Sequence, residues 1–139
     1  MGVFDSFNIN TSGLTLERMK LDTISTNIAN VNTTRTEEGG AYKRKTVTFQ
    51  ESLRKETGSQ QKKSFGVRTT GIREDQDTKT IYQPDHPDAD EEGYVELPNV
   101  NLSDEMINMM NTLRTYEANV TAFESSKAMM RKALEISKD

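Results

Sequence analysis

Leu102-Ser-Asp-Glu-Met106-Ile-Asn-Met109-Met110-Asn-Thr-Leu113-Arg-Thr-Tyr116-Glu-Ala-Asn-Val120-Thr-Ala-Phe123-Glu-Ser-Ser-Lys127-Ala-Met-Met130-Arg-Lys-Ala-Leu134 runs without a proline or a glycine. Counting from Leu102 at alternating steps of four and three gives Leu102, Met106, Met109, Leu113, Tyr116, Val120, Phe123, Lys127, Met130 and Leu134. All but Lys127 are apolar, which is the spacing of a coiled-coil seam. Asn101 or Ser103 can cap the helix, and Asp104 and Glu105 in the first turn suit the positive end of its dipole. A helix over residues 99–139 would be close to 60 Å long at about 1.5 Å per residue, while a compact chain of this size is only about 40 Å across. The stretch therefore predicts a long helix that needs a partner along its length. Flanking Ala118, Ala122 and Ala133 are small enough to admit one closely.

The opposite end of the chain repeats the pattern more weakly. Val3, Phe7, Leu14, Leu21, Ile24, Ile28 and Val31 fall on one seven-residue repeat, interrupted by Asn10 and Glu17. Gly13 within it costs about 1 kcal/mol relative to alanine, so the helix is expected to start or fray there. Two helices alone bury one seam, which leaves Leu16, Met19, Ile107, Met110 and Met129 for helices of other subunits. Between the ends, residues 33–98 hold all three prolines and six of the eight glycines. Tyr42–Phe49, Phe65–Ile72, Thr80–Tyr82 and Gly93–Val95 mix β-branched and aromatic residues in short runs and predict strands. Gly58–Lys63 predicts a loop between the first two.

The expected fold is mainly α with a small β region. Long N- and C-terminal helices pair as a coiled coil around a central extended segment, in three parts: 1–32, 33–98 and 99–139. Candidate packing residues are Leu14, Leu21, Ile24, Ile28 and Val31 with the apolar positions from Leu102 to Leu134.

Composition narrows the function. Of the 139 residues 32% are apolar, against about 45–50% in ordinary globular chains, and 29% are charged. With no cysteine, disulfide frameworks, thiolate metal sites and cysteine nucleophiles are excluded. His86 is the single histidine, so no site needing two can form. A net charge of −4 argues against a nucleic-acid binder. No apolar run of about 18 residues is present for membrane insertion, and no cleaved secretory signal is visible at the N-terminus. Neither a phosphate-binding glycine loop nor a nucleophile elbow occurs. Catalysis is not expected, and neither is a cofactor.

Two features invite a chemical reading. Asp88-Ala-Asp90-Glu-Glu92-Gly93 resembles the opening of a calcium loop, but Pro98 and Asn99 stand where its closing ligands belong, and Pro84 and Pro87 forbid the incoming helix. A calcium-dependent adaptor is therefore the alternative from another class. Charge is also segregated. Lys43, Arg44, Lys45, Arg54, Lys55, Lys62 and Lys63 form a basic half, whereas no Lys or Arg lies between Lys79 and Arg114, a span with eight acids from Asp85 to Glu105. The two halves either stay solvated or meet between neighbouring subunits, which would fix register more than affinity.

Specific motifs then point to a family. Thr26-Asn27-Ile28-Ala29-Asn30-Val31-Asn32-Thr33, preceded by Ser12-Gly13-Leu14 and Leu21-Asp22, resembles the N-terminal signature of bacterial flagellar rod and hook axial proteins. Tyr82-Gln-Pro-Asp85-His86-Pro87-Asp88-Ala-Asp90-Glu-Glu-Gly93-Tyr94-Val-Glu-Leu-Pro98-Asn99-Val-Asn101 resembles one branch, the proximal rod proteins of the FlgC type. Gly39-Gly40-Ala-Tyr42 with Arg44-Lys45, Met109-Met110, Arg114–Val120 and Lys127–Met129 agree with that branch. Another axial subunit of the same superfamily is the alternative within the class. The resemblance implies a structural protein of the basal-body rod outside the inner membrane. It further implies passage through the flagellar type III export apparatus and polymerisation with itself, with other proximal rod proteins and with the rod–ring adaptor protein. Asn27 and Asn30 read as short amides that bond backbone where a helix gives way to a loop.

Overall fold

The computed structural model describes residues 3–55 and 62–136. Its elements are helix α1 (Val3–Ala29), strands β1 (Lys45–Lys55), β2 (Lys62–Glu74), β3 (Thr78–Tyr82) and β4 (Tyr94–Pro98), and helix α2 (Leu102–Ile136). The fold is mainly α with two small antiparallel hairpins, β1–β2 and β3–β4. The loop expected over 58–63 falls largely outside the described residues. So do the side chains of Val3, Arg54, Lys55, Lys62 and Lys63.

The C-terminal helix begins where its cap predicts. Asn101 Oδ1 accepts from the Ser103 and Asp104 N–H groups at 3.0 and 3.4 Å, satisfying donors that a helix start leaves orphaned. The two helices run antiparallel, with Phe7 edge-on to Phe123 at 5.0 Å between ring centroids and Asn27 beside Glu105. Contrary to expectation, α1 neither starts nor frays at Gly13. A Cβ there would lie 3.0 Å from Asn119 Nδ2, so the glycine leaves room for a side chain of α2, and tertiary packing outweighs its helix cost. The three alanines expected to admit a partner, Ala118, Ala122 and Ala133, are exposed in the single chain.

Hairpin β1–β2 packs along α1. Its start is tied to Asn27, Phe49 lies under Lys20, whose Nζ sits 4.9 Å from the ring centroid, and the Val67 N–H donates to Ser12 Oγ at 3.1 Å. Bulges after Thr48 and after Glu51 bend the ladder to follow the helix. The closest approach is at Gly66 (φ +96°), where a Cβ would run into Ser12 Oγ and lie 3.2 Å from Ile9 Cα. Gly66→Ala is therefore expected to cost about 2 kcal/mol, from a left-handed backbone plus a clash with helix backbone. Gly40→Ala, at a positive φ with open space around it, should cost about 1 kcal/mol. Paired urea melts separate the two effects.

The core is small. Among the described residues Leu16, Ile24, Ala41, Tyr42, Val47, Val95, Pro98 and Val100 are the buried apolar side chains. Leu16, expected to wait for another subunit, is thus already covered within this chain.

Candidate assembly surface and the polar joint beneath it

The joint forms where α1, the start of β1 and the start of α2 converge. Asn27 and Glu105 are each only 1% exposed. Asn27 uses its full hydrogen-bonding capacity. Nδ2 donates to the Lys45 carbonyl at 2.9 Å and to Glu105 Oε2 at 3.2 Å, and Oδ1 accepts from the Lys45 N–H and the Tyr42 O–H, both at 2.9 Å. Glu105 Oε1 accepts from Arg44 Nε at 2.7 Å and from Nη2 at 2.6 Å, so the buried carboxylate has a charged partner. One amide thereby fastens a helix, a strand and, through Glu105, the second helix. Asn30 works locally, donating to the Thr26 carbonyl at 2.9 Å and accepting from Thr33 Oγ1 at 3.1 Å at the frayed end of α1.

Burial pushes the Tyr42 hydroxyl above its ordinary range near pH 10, helped by the charges of Glu74 and Glu105. The folded chain thus favours the neutral phenol that donates to Asn27. This contribution is fully present below the unfolded value near 10 and is lost as pH rises through the raised folded value. Tyr42→Phe should cost about 1 kcal/mol at pH 8. The gap to the parent chain should narrow above pH 10, read by urea unfolding across that range.

The turn between β3 and β4 is self-contained. Asp90 Oδ1 accepts from the N–H groups of Glu92 and Tyr94 at 3.0 and 2.8 Å, and His86 Nδ1 accepts from the Asp88 N–H at 3.1 Å. Asp88 receives Thr34 Oγ1 at 2.7 Å and faces Arg35 at 3.7 Å. Gly93 takes a φ of +82°, packed against Tyr82 and Pro84. Asp85 and Pro87 are exposed, Asn99 is half-buried and Pro98 is buried. Of the carboxylates in the calcium reading, Asp88 and Asp90 are thus engaged by the fold and Glu92 is exposed. Among the described residues no group of three or more side chains could hold a metal ion.

The ten positions of the expected seam divide between two faces. Met109, Tyr116, Phe123 and Met130 are half-buried, on the side of α2 that carries Glu105, Thr112, Asn119 and Ser126 toward α1. Met106, Leu113 and Leu134 are exposed, Leu113 by 42% and Leu134 by 61%, in one column with the half-buried Val120 and the exposed Lys127, while Leu102, in the column of Met109, is exposed at the start of the helix. The helix has turned so that a polar column takes one side of the inner contact and an apolar column is left outside. On α1, Ile24 is buried and Leu14, Leu21 and Ile28 are half-buried, as is Val31 in the turn that follows. Sequence reasoning missed the joint. Glu105 read only as a first-turn acid, although an acid one step from the apolar column, with Arg44 and an Asn elsewhere, was the available signal.

Long paired helices with an apolar outer column, a hairpin arm and a buried polar joint define a structural subunit. The flagella basal body rod protein family matches residues 7–35, and the C-terminal family of flagellar basal body rod FlgEFG proteins matches residues 91–136. The chain is 43% identical to the flagellar basal-body rod protein FlgC of Borreliella burgdorferi, covering 98% of each chain. It is 41% identical to that of Bacillus subtilis, over 99% of this chain and all of the relative. With FlgC of Escherichia coli O6:H1 the identity is 34%, over 96% and 97%. The chain belongs to the FlgC family of flagellar basal-body rod proteins.

Proposed function

We propose that this chain is a polymerising subunit of the flagellar rod whose terminal helices form the shaft and whose hairpins form a lateral arm. The observation that carries this reading is the exposed apolar column of α2, Met106, Leu113 and Leu134. A soluble monomer gains nothing from such a stripe, whereas helices of neighbouring subunits bury it. In the assembled tube the inner and outer faces of α2 together complete coiled-coil packing, with residues 1–32 and 99–139 as the shaft and 33–98 as the arm. Torque passes through many parallel contacts of this kind, and no catalytic step is needed. The family's other proximal rod proteins and the rod–ring adaptor supply the neighbours above and below. The export route is the flagellar type III apparatus, consistent with helices that gain most of their stability from packing after export. Basal bodies purified from the native organism should contain this chain, and cells lacking it should neither build a rod nor swim. Swimming cells without it would end the reading.

A further inference from the structure

Among the described residues the oppositely charged stretches of the chain meet within one molecule only where Arg44 pairs with Glu105. Of the basic residues, Arg44 is committed to Glu105, Lys45 faces Glu74 at 3.5 Å and Lys43 bonds Gln76 at 2.6 Å. What remains among the described residues is the outer face of hairpin β1–β2. There Arg68 pairs with Gln50 in the ladder and Arg73 with Thr46, on the face opposite the buried Val47. Both arginines are exposed, and Arg68 reaches only the Gln50 amide. On the other side, Asp88 and Asp90 are spent on the turn, while Asp85, Glu91, Glu92 and Glu96 are exposed and make no ion pair with described residues. Beside them Tyr82 and Tyr94 stack edge to face at 5.4 Å, the two residues 64% and 42% exposed. Neither β3 nor β4 packs on β1 or β2.

We propose that the Arg68/Arg73 face of one subunit docks on the Tyr82/Tyr94 turn of a second copy, with Glu91, Glu92 and Glu96 as the anionic partners. The chemistries fit. Guanidinium groups pair with carboxylates and stack on aromatic rings, and tyrosine is enriched at protein interfaces. A patch meeting a different patch is a heterologous contact, which repeats along a helical path without closing. The inference rests on the rod-subunit reading and adds to it which surfaces touch.

Because the chain has no cysteine, the contact can be tested by cross-linking in swimming cells. Arg73→Cys and Glu92→Cys in one chain, oxidised on intact basal bodies, should give a ladder of dimers and higher species on a non-reducing gel. Each substitution alone should give none, and the two single variants expressed together should stop at dimers. Dimers from either single variant, cross-links only to a protein of different mass, or basal bodies that contain the chain without cross-links would overturn the proposal. If the chain is missing from basal bodies altogether, the rod reading fails first and this contact with it. A second arm does not depend on cysteines. Arg68→Glu with Arg73→Glu should shrink the swimming halo several-fold, and adding Glu91→Lys with Glu92→Lys should restore at least half of it. No recovery, with export intact, counts against the pairing.

Discussion

Asn27→Ala should be the most damaging single truncation in the chain, costing about 4 kcal/mol. The amide makes four hydrogen bonds at a site 1% exposed, and its loss leaves the Tyr42 hydroxyl, the Lys45 N–H and carbonyl, and one oxygen of Glu105 without a partner. Each buried group so orphaned costs about 1–3 kcal/mol, partly recovered by relaxation and water entry. Against a total stability of about 5–15 kcal/mol the chain would be marginally folded. Asn27→Asp tests the mechanism rather than the size. It sets a second carboxylate about 3 Å from Glu105 and removes the donor to the Lys45 carbonyl, so it should be at least as damaging although nearly isosteric. Asn30→Ala, which loses only local bonds at the helix end, should cost about 1 kcal/mol. Urea unfolding of the three variants followed by circular dichroism gives the ranking. Equal effects at Asn27 and Asn30 would mean that the joint is not what holds the hairpin.

Much of the fold is legible in the residues because its elements are local. The run from Leu102 has no breaker and a proper cap at Asn101, so α2 follows from short-range rules alone. The strands around Val47, Val67, Ile81 and Val95 stand out for the same reason. What periodicity does not carry is the choice between two neighbouring columns of one helix. Met106 and Leu113 are as apolar as Met109 and Tyr116, and Glu105, Thr112 and Ser126 are the less obvious candidates for a buried contact. The choice is made by long-range chemistry: Gly13 admits Asn119, and Arg44, just before β1, pairs with Glu105. Gly13, which locally argues for a broken helix, is for that reason part of a continuous one. The family motif is legible as a motif, but the reason for Asn27 is visible only once Tyr42 and Lys45 stand beside it.

The same geometry separates folding from assembly. Met106 is 55% exposed and Leu113 42%, so Met106→Glu with Leu113→Glu removes no buried contact of the monomer. Its stability should change by no more than about 0.5 kcal/mol, as for other surface substitutions. In the rod the two carboxylates would have to be buried against apolar helices, where an unpaired charge costs several kcal/mol at each copy. Rod formation and swimming should therefore be abolished while the purified chain melts normally and is still exported. Phe123→Ala is the mirror image. It breaks the edge-on contact with Phe7 inside the chain and should lower the monomer's stability by about 2–3 kcal/mol. Lys127, in the outer column, gives the opposite sign. A lone polar residue in an apolar seam lowers stability but restricts register and partner number, so Lys127→Leu should strengthen self-association and broaden the oligomer distribution in sedimentation velocity. Swimming should fall even so, because a subunit that sticks to itself before reaching the rod tip is lost to the assembly. A paired carboxylate variant that swims like the parent would show that this column faces solvent in the rod, and the shaft would then have to be built from the other faces of the two helices.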